Sequence, residues 1–315
     1  AVFERFAELT GVDIGLHQHG YLFVTTAPDG YEKSRARVEQ QRAYGLDDVE
    51  LLTGAEARAR FPYLAPEITA ATFRSRDGWL SAHELTYGYA RASAARFFVD
   101  TPVVEFCRAG ERIVGVVTTR GEIRAARVVL CAGPFTAPLA RMAGIELPLR
   151  NTRRHQLTLG KHPLIPRDAP MVVDADTGAH WRPEGPGAVF GWSLPEPPSE
   201  PLEYVPTDWE FPARVLEGVA RVTPFWNEVI PKLVRADLGL VAGQYTEAPD
   251  LNPLIGASEV EGVWLNCAYG GHGVMMSAAG ARSICAFFSA WISAALPSTR
   301  WGTCRSLAGF FSRMV

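Results

Sequence analysis

The chain has 315 residues, 47% of them hydrophobic and 21% charged, which is enough apolar material for a sizeable core and about two domains. The net charge of −3 and the scattering of its lysines and arginines argue against a nucleic acid partner. No two of the five cysteines have CxxC spacing, so they predict buried thiols in a reducing compartment rather than a disulfide framework or a zinc site.

The two ends of the chain give no sign of targeting or of membrane insertion. Residues 1–15 are amphipathic and carry acidic side chains, which is typical of neither a signal peptide nor a transit peptide. The apolar segment 283–296 is shorter than the roughly 20 residues that cross a bilayer. We therefore predict no transmembrane segment and a cytoplasmic location, with the mitochondrial matrix as the alternative for a eukaryotic source. The first residue is not methionine, which indicates a start within a longer coding sequence.

Helical and extended segments alternate over the first third of the chain. Helices are predicted over 1–10, 28–45, 53–62 and 81–95, and strands at 19–26, 48–52 and 69–74. From residue 97 the apolar period changes to two, which predicts strands in RFFVD, PVVEFCR, RIVGVVTTR and EIRAARVVLCAG. Val128 to Cys131 is an unbroken apolar run, as expected of a strand buried on both faces. A helix over 134–143, strands over 147–195 and a helix over 207–221 follow.

Two apolar strands end in glycine and then continue as helices, in the segments VVLCAGPF and WLNCAYGGHGV. In open α/β sheets, ligands bind at the carboxyl edge of the strands, where such turns lie. A helix start presents unpaired N–H groups and partial positive charge, which suit a phosphate or a developing anion. The alternative interpretation is a pair of ordinary tight turns packed against a core.

Six segments occur in a characteristic order: DGWLSAHEL, TPVVEF, RVVLCAGPFTAPLARMAGI, WRPEGPGAVFGWS, YTEAPDLNPLIG and GVWLNCAYGGHGVMMSAAGAR. This order resembles the FAD-dependent oxidoreductases of the D-amino-acid oxidase superfamily, which include glycine oxidase, sarcosine oxidase and dimethylglycine dehydrogenase. The resemblance implies a mixed α/β (α+β) fold, in which a partial Rossmann-like FAD-binding domain is interleaved with an antiparallel-sheet substrate domain. The family's opening GxGxxG unit, which binds the FAD pyrophosphate, has no match in this sequence.

The resemblance divides the chain into three parts. The FAD-binding domain takes 75–146 and 243–295 and lacks its N-terminal βαβ unit, which a partner would supply. The substrate-binding domain takes 12–74 and 147–242. Residues 296–315 form a divergent C-terminal tail.

The resemblance also implies which residues face FAD. Val103 and Val104 are expected beside the adenosine, and Ala132 and Gly133 beside the middle of the cofactor. The late glycine turn is expected to face the ribityl chain and the pyrimidine edge of the flavin, through Gly270, Gly271, His272, Gly273 and Val274. Hydride arrival at flavin N5 builds negative charge at N1 and O2, which a helix N-terminus aimed there stabilises.

An amino-acid substrate needs hydrogen-bond donors for its carboxylate, and its amine must be neutral before hydride leaves the carbon. Arg182 is interpreted either as a catalytic, substrate-binding residue or as a surface ion-pair residue. Tyr245 is the second catalytic candidate, through contact with substrate or flavin. His272 is the third, because glycines flank it at a helix start, although a lone histidine also fits a structural role.

Further candidates come from the predicted substrate sheet. Gln156 is expected to line the pocket, and Trp192 is expected either to line it or to fill the core. Arg153 and Arg154 are interpreted as solvated residues rather than catalytic ones. The histidines show no metal-ligand spacing, so no metal site is expected.

Three functional hypotheses remain open at this point. The first is an FAD-dependent enzyme that oxidises the C–N bond of a sarcosine-, glycine- or D-amino-acid-like substrate by hydride transfer to flavin N5. Oxygen or a redox partner would then accept the electrons. The second is a non-catalytic assembly factor, and the third is a truncated family member that cannot hold FAD by itself. Flavin colour would discriminate the first from the other two.

Overall fold

The computed structural model of the chain describes residues 2–295, so the predicted tail at 296–315 lies outside the described residues. Its strands are β1 (Tyr21–Thr25), β2 (Glu50–Thr53), β3 (Ala70–Arg74), β4 (Val103–Ala109), β5 (Arg112–Thr118), β6 (Gly121–Arg124), β7 (Val128–Leu130), β8 (Arg150–Leu159), β9 (Met171–Asp174), β10 (His180–Glu184), β11 (Gly187–Gly191), β12 (Pro198–Ser199), β13 (Leu238–Glu247), β14 (Leu254–Ala257) and β15 (Val263–Cys267). Its α-helices are α1 (Phe6–Thr10), α2 (Gly30–Ala43), α3 (Gly54–Arg60), α4 (Ala82–Ala92), α5 (Thr136–Met142), α6 (Phe211–Ala220), α7 (Trp226–Val229) and α8 (Gly273–Ala295).

The largest sheet of the described chain has nine strands. Eight of them follow the order β12-β8-β11-β10-β9-β1-β3-β2, and the ninth, β13, also pairs with β8. All of its pairings are antiparallel except that between β1 and β9, which is parallel. β13 pairs with β8 along its whole length, from Leu238 opposite Leu159 to Glu247 opposite Arg150. The predicted antiparallel sheet is therefore present, and it draws on three separate stretches of the chain.

One face of this sheet is covered by α6 and α7. Leu157 and Trp181 are fully buried and point to that face, because alternate residues of a strand lie on opposite sides of the sheet. Trp181 donates its indole N–H to the Thr223 hydroxyl at 3.0 Å and packs edge-on against Trp226. The opposite face of the same strands remains open, and it forms the floor of the cavity described below.

A second core lies around β7, β14 and β15. β15 pairs in parallel with β7 and antiparallel with β14, and a separate three-stranded sheet, β4-β5-β6, lies nearby. Ile113, Leu130 and Val263 are buried in this second core. These strands and α8 form the mixed α/β part of the molecule that the glycine turns predict.

Two predictions for this part of the chain are wrong. RFFVD is not a strand: the side chains of Phe97, Phe98 and Val99 are 62%, 58% and 72% exposed, in an irregular connection between α4 and β4. The strand at Val128 to Cys131 is not buried on both faces, because Val128 and Val129 are only partly buried and Cys131 is exposed. β7 is an edge strand among the described residues, and this position leaves its apolar side chains partly open.

Within residues 2–295, no helix combines the length and the apolar character that crossing a membrane requires.

The helix capped by Thr53 is present as α3. The Thr53 side chain accepts from the Glu56 backbone N–H, and the Glu56 carboxylate accepts from the Thr53 backbone N–H at 2.8 Å.

Candidate functional site

The late glycine turn begins where β15 ends. Ala268 has a φ of +66° and Gly270 a φ of +51°, left-handed values that are strained for residues other than glycine. Gly270–His272 form a single 3₁₀ turn that continues into α8 at Gly273. The turn thus leaves the first N–H groups of a helix at the carboxyl end of a strand, as the sequence predicts.

Small residues of α8 allow the turn that precedes it to pack closely against this helix. A Cβ atom on Gly280 would collide with the hydroxyl oxygen of Tyr269. That hydroxyl donates to Oδ1 of Asn266, the residue before the end of β15. Glycine at 280 is therefore required for Tyr269 to pack between the strand and the helix.

The second glycine turn lies at the same edge of the same small sheet. β7 runs parallel to β15 with Leu130 opposite Leu265, so the turns that follow the two strands are neighbours. Gly133 has a φ of +52°, and a Cβ atom there would meet nothing within 4 Å. Ala132 is partly buried beside it. Val103 and Val104 open β4, in the separate sheet, and the Val104 side chain is 50% exposed.

A cavity of about 440 Å³ opens on the uncovered face of the nine-stranded sheet. Its volume is within the range of small-molecule binding sites, roughly 300–1,000 Å³. Four of the residues predicted for the substrate site line it together: Gln156, Arg182, Trp192 and Tyr245. The register of β8, β10, β11 and β13 puts Gln156, Arg182 and Tyr245 on the same face of the sheet. Trp192 follows the end of β11 and joins them at the rim of the cavity.

Tyr245 connects the cavity to the late glycine turn. A Cβ atom on Gly271 would lie 2.8 Å from Cε2 of the Tyr245 ring, so the ring packs directly over a glycine backbone. The Arg154 guanidinium carbon lies 5.7 Å from the centre of the same ring. The cavity and the turn therefore share one side chain.

Arg182 lies at the other end of the cavity. Its side chain is only 16% exposed, and burial lowers the pKa of its guanidinium to about 10, so it stays charged at neutral pH. The guanidinium carbon lies 5.1 Å from the centre of the Trp79 ring. Its Nη1 donates to the Glu184 carboxylate and to the Pro183 carbonyl. Arg182 is thus both a cavity residue and an ion-pair residue.

Trp192 is held in place at the rim of the cavity. Its indole N–H donates to the Thr177 carbonyl at 2.8 Å. The ring lies so close to Gly218 of α6 that a Cβ atom there would come within 2.7 Å of it. Of the two roles considered for Trp192, the structure supports a wall of the cavity that also packs against a helix.

His272 lies apart from the other two catalytic candidates. Its side chain is exposed on the 3₁₀ turn and is not among the residues that line the cavity. Its backbone N–H donates to the Tyr269 carbonyl at 2.9 Å, which stabilises the turn. Gly273 and Val274 follow at the start of α8, where Val274 is 41% exposed.

Among the cavity residues that sequence reasoning did not place in the site are Arg154, which was interpreted as solvated, Tyr21 and His180. His180 packs against Gly191, where a Cβ atom would lie 2.5 Å from its ring, and burial lowers its pKa. Arg154 and Arg153 are adjacent on β8 and point to opposite faces. Arg153 forms an ion pair with Glu196 at 3.1 Å, and Arg154 enters the cavity. The strand alternation itself was the signal that separates the two arginines.

Comparison with known proteins now decides the family. A model of the family described as DAO, FAD dependent oxidoreductase, matches residues 1–286. The chain belongs to this FAD-dependent oxidoreductase family. Among curated family relatives, human mitochondrial sarcosine dehydrogenase is 25% identical over 87% of this chain and 31% of its own length. D-amino acid dehydrogenase of Paramagnetospirillum magneticum is 27% identical over 87% of this chain and 64% of its own length.

Solved structures of the FAD-dependent oxidoreductase fold superpose on most of this chain. Glycine oxidase from Bacillus cereus has a TM-score of 0.76 at 21% identity and covers 95% of this chain and 81% of that protein. L-proline dehydrogenase from P. horikoshii has a TM-score of 0.75 at 24% identity, with 88% of this chain and 73% of that protein covered. The fold class is therefore the predicted one. The chain spans about a third of the length of the mitochondrial relatives that it matches.

Proposed function

We propose that this chain forms the substrate site and the flavin-facing turn of an enzyme that oxidises the C–N bond of a small amine or amino acid. One observation carries the proposal. Tyr245 packs over the backbone of Gly271 in the late glycine turn. The same side chain contacts Arg154 and lines a cavity that also contains Arg182. A substrate bound in the cavity would lie next to a cofactor bound at the turn.

The residues at the sheet edge fit FAD. Gly133 has open space where a side chain would otherwise stand, and Gly270 has a positive φ in the turn that follows the neighbouring strand β15. We assign the middle of the cofactor to Ala132 and Gly133, and the adenosine to Val103 and Val104. The ribityl chain and the pyrimidine edge are assigned to Gly270, Gly271, His272, Gly273 and Val274.

When bound, FAD supplies the acceptor for a hydride that leaves the substrate carbon, at flavin N5 in the chemistry we propose. The first N–H groups of α8 carry partial positive charge, which would favour negative charge on a flavin held at the start of this helix. Because these groups belong to the backbone, their direction is fixed before the substrate arrives.

The cavity binds the substrate and controls the protonation of its amine. Arg154 and Arg182 donate charge-assisted hydrogen bonds to acidic groups of the substrate. The same positive charges lower the pKa of a nearby ammonium group, since like charges disfavour each other's charged form. Among the described residues that line the cavity there is no aspartate or glutamate, and Glu184, which pairs with Arg182, is 51% exposed and opposes this effect only weakly. The amine is therefore held in the neutral form from which hydride can leave the carbon.

The relatives suggest the class of substrate. The names of the matched proteins include sarcosine dehydrogenase, dimethylglycine dehydrogenase and D-amino acid dehydrogenase, all of which refer to amino acids or their N-methyl forms. We propose a substrate of this class, with oxygen or a redox partner as the final electron acceptor.

The proposal is tested by adding FAD to the purified chain. We expect an absorbance band near 450 nm that stays with the protein on desalting, roughly where bound oxidised flavin absorbs. Sarcosine, glycine and D-alanine are then added without oxygen, and bleaching of the band reports substrate oxidation. Free FAD with the same substrates is the control.

A chain that remains colourless after this treatment, although folded by circular dichroism, would contradict the proposal for this polypeptide. The same titration is then repeated in the presence of a separately expressed GxGxxG-containing βαβ unit. Colour only in the presence of that unit would mean that a partner must supply the pyrophosphate site. Continued absence of colour would favour a non-catalytic assembly role.

A further inference from the structure

The two arginines of the cavity lie too far apart to bind one carboxylate. Arg182 on β10 is opposite Val189 on β11, which is opposite Thr158 on β8, four residues from Arg154. Two strand spacings across and four residues along the strand put the two Cα atoms roughly 16 Å apart. A single carboxylate is only as wide as the fork of one guanidinium, so each arginine has its own binding position.

The contacts of the two side chains direct them away from each other. Nη1 of Arg154 donates to the Leu194 carbonyl at 3.1 Å, beyond the end of β11, and its guanidinium packs on Tyr245. Arg182 contacts Glu184 and Trp79, at the opposite end of the cavity. The positive charge is therefore concentrated at the two ends rather than in the middle.

Each guanidinium keeps N–H donors for a ligand. Among the described residues, the partners of Arg154 are two backbone carbonyls, both bonded to Nη1, while its buried Nε has no partner. A buried N–H group without a partner is costly, and a ligand oxygen would satisfy it. Only Nη1 of Arg182 is bonded within the described chain, and its partner Glu184 is 51% exposed, so this ion pair is weak.

The wall between the two arginines is neutral. Met171, Val189, Gln156 and His180 line it, and burial lowers the pKa of His180, which keeps its imidazole uncharged at neutral pH. From one end of the cavity to the other, the lining is therefore a cation, an uncharged stretch and a second cation.

We propose that the substrate is a diacid, an amino or imino acid whose first carboxylate binds Arg154 beside the flavin-facing turn and whose second acidic group binds Arg182. This inference rests on the proposed function and narrows its substrate class. An N-carboxyalkyl amino acid or an acidic amino acid has this chemistry.

The proposal is tested by ligand binding, which needs neither bound FAD nor turnover. Trp192 lines the cavity and Trp79 lies against Arg182, so tryptophan fluorescence reports occupancy. The probes are succinate, glutarate and adipate, each compared with the monocarboxylate of equal chain length: butyrate, pentanoate and hexanoate. We expect at least one diacid to bind about tenfold more tightly than its monoacid, or about 1.4 kcal/mol.

Three variants separate the two binding positions. Arg182→Gln should abolish the preference for the diacid and leave monoacid affinity unchanged, and Arg154→Gln should weaken both. Arg153→Gln is the matched control. Arg153 is the neighbour of Arg154 on β8 and pairs with Glu196 outside the cavity, so both affinities should remain as in the unaltered chain. Circular dichroism and the melting temperature establish that each variant is folded.

Equal affinity for diacids and monoacids would overturn the proposal, as would an equal loss of both affinities in Arg182→Gln. If monoacids bound through Arg154 and diacids bound no more tightly, the proposed oxidation would stand. Only the proposed binding of a second acidic group at Arg182 would be refuted. Failure of the oxidation itself is recognised separately, by the absence of a protein-bound flavin band.

Discussion

Gly271 decides where the Tyr245 ring can lie. A Cβ atom at Gly271 would approach the ring to 2.8 Å, which is closer than side chains tolerate, so the ring must move. We expect Gly271→Ala to displace the ring from Arg154 and to weaken carboxylate binding and flavin uptake together. Because Tyr245 can swing outward, the free energy of unfolding should fall by only about 1 kcal/mol. Tryptophan fluorescence with butyrate, flavin absorbance and urea unfolding measure the three effects.

Gly273 provides the matched control two residues later in the same turn. A Cβ atom there would meet only Cβ of Tyr269, at 3.7 Å, which is an ordinary van der Waals distance. Gly273→Ala should therefore leave the fold and carboxylate binding unchanged. If the two alanine variants lost butyrate binding equally, the role given to the Tyr245–Gly271 contact would be incorrect.

At the residue scale, sequence alone could identify side-chain types but could not decide between neighbours. Strand alternation predicts that Arg153 and Arg154 lie on opposite faces of β8, but which face carries the cavity depends on the helices that cover the other one, and the sequence does not give that. Tyr245 and Arg182 were predictable because they lie near a glycine-rich turn and in an aromatic strand. The sequence could not predict how close Tyr245 and Arg182 lie to each other, because that depends on a strand order that brings together residues about 60 positions apart.

At the scale of elements, an ion-pair network ties α6 to β1 and β9. Asp174 is fully buried at the end of β9 and accepts from Nε of Arg221 at 2.9 Å, just past the end of α6. Arg221 also donates to Thr26 at 2.7 Å and to Asp176 at 3.1 Å. A helix, a strand end and a loop are thus held by one guanidinium.

Removal of that guanidinium should strongly destabilise the nine-stranded sheet. Arg221→Met leaves the buried Asp174 carboxylate without its cation, and we expect a loss of about 2–3 kcal/mol in the free energy of unfolding. The loss is not larger because Thr177 still donates to Asp174 at 2.7 Å. Arg214→Met in α6 is the control, since its side chain is 47% exposed and its ion pairs are worth at most about 1 kcal/mol. Urea unfolding of the two variants should give clearly different midpoints; equal midpoints would contradict the structural role of Arg221.

The same network gives a pH dependence. Burial alone would raise the pKa of Asp176, but hydrogen bonds from the Thr25 hydroxyl, the Thr26 backbone and Arg221 outweigh burial and lower it to about 2. A carboxyl group with a lowered pKa stabilises the fold above its unfolded-state pKa of about 3.9, and this stabilisation is lost as pH falls toward 2. We expect Asp176→Asn to cost about 1–2 kcal/mol at pH 7 and progressively less between pH 4 and pH 2. Unfolding curves at these pH values measure it, and a constant difference would exclude the linkage.

Local sequence signals predicted most elements because they act within a few residues. The Thr53–Glu56 capping box and the alternation in β8 are such signals. RFFVD was predicted incorrectly because its two phenylalanines and its valine favour a strand, whereas no described strand pairs with it. The partial exposure of β7 has the same origin, since a strand's burial depends on neighbours that lie far away in sequence.

At the scale of the whole molecule, two cores share one chain. The larger core lies between the nine-stranded sheet and helices such as α6, and the smaller one surrounds β7 and β15. The chain passes between them more than once, and β13 carries Tyr245 from the larger sheet to the turn before α8. The cavity therefore lies on the sheet that forms one core, while the proposed cofactor site lies at the edge of the other core.

This interleaving predicts how the protein responds to cleavage of the connection between α4 and β4. Phe97 and Phe98 are more than half exposed there, so chymotrypsin should cut after one of them, along with the exposed Tyr44 and Tyr204. A cut at 97–98 separates β1, β2 and β3 from the other strands of the nine-stranded sheet, but β1 still pairs with β9 across the cut. We expect the nicked protein to elute as one particle in size-exclusion chromatography and its fragments to separate only in denaturant. Mass spectrometry identifies the bond cut, and fragments that separate without denaturant would show that the two stretches of the sheet do not hold each other.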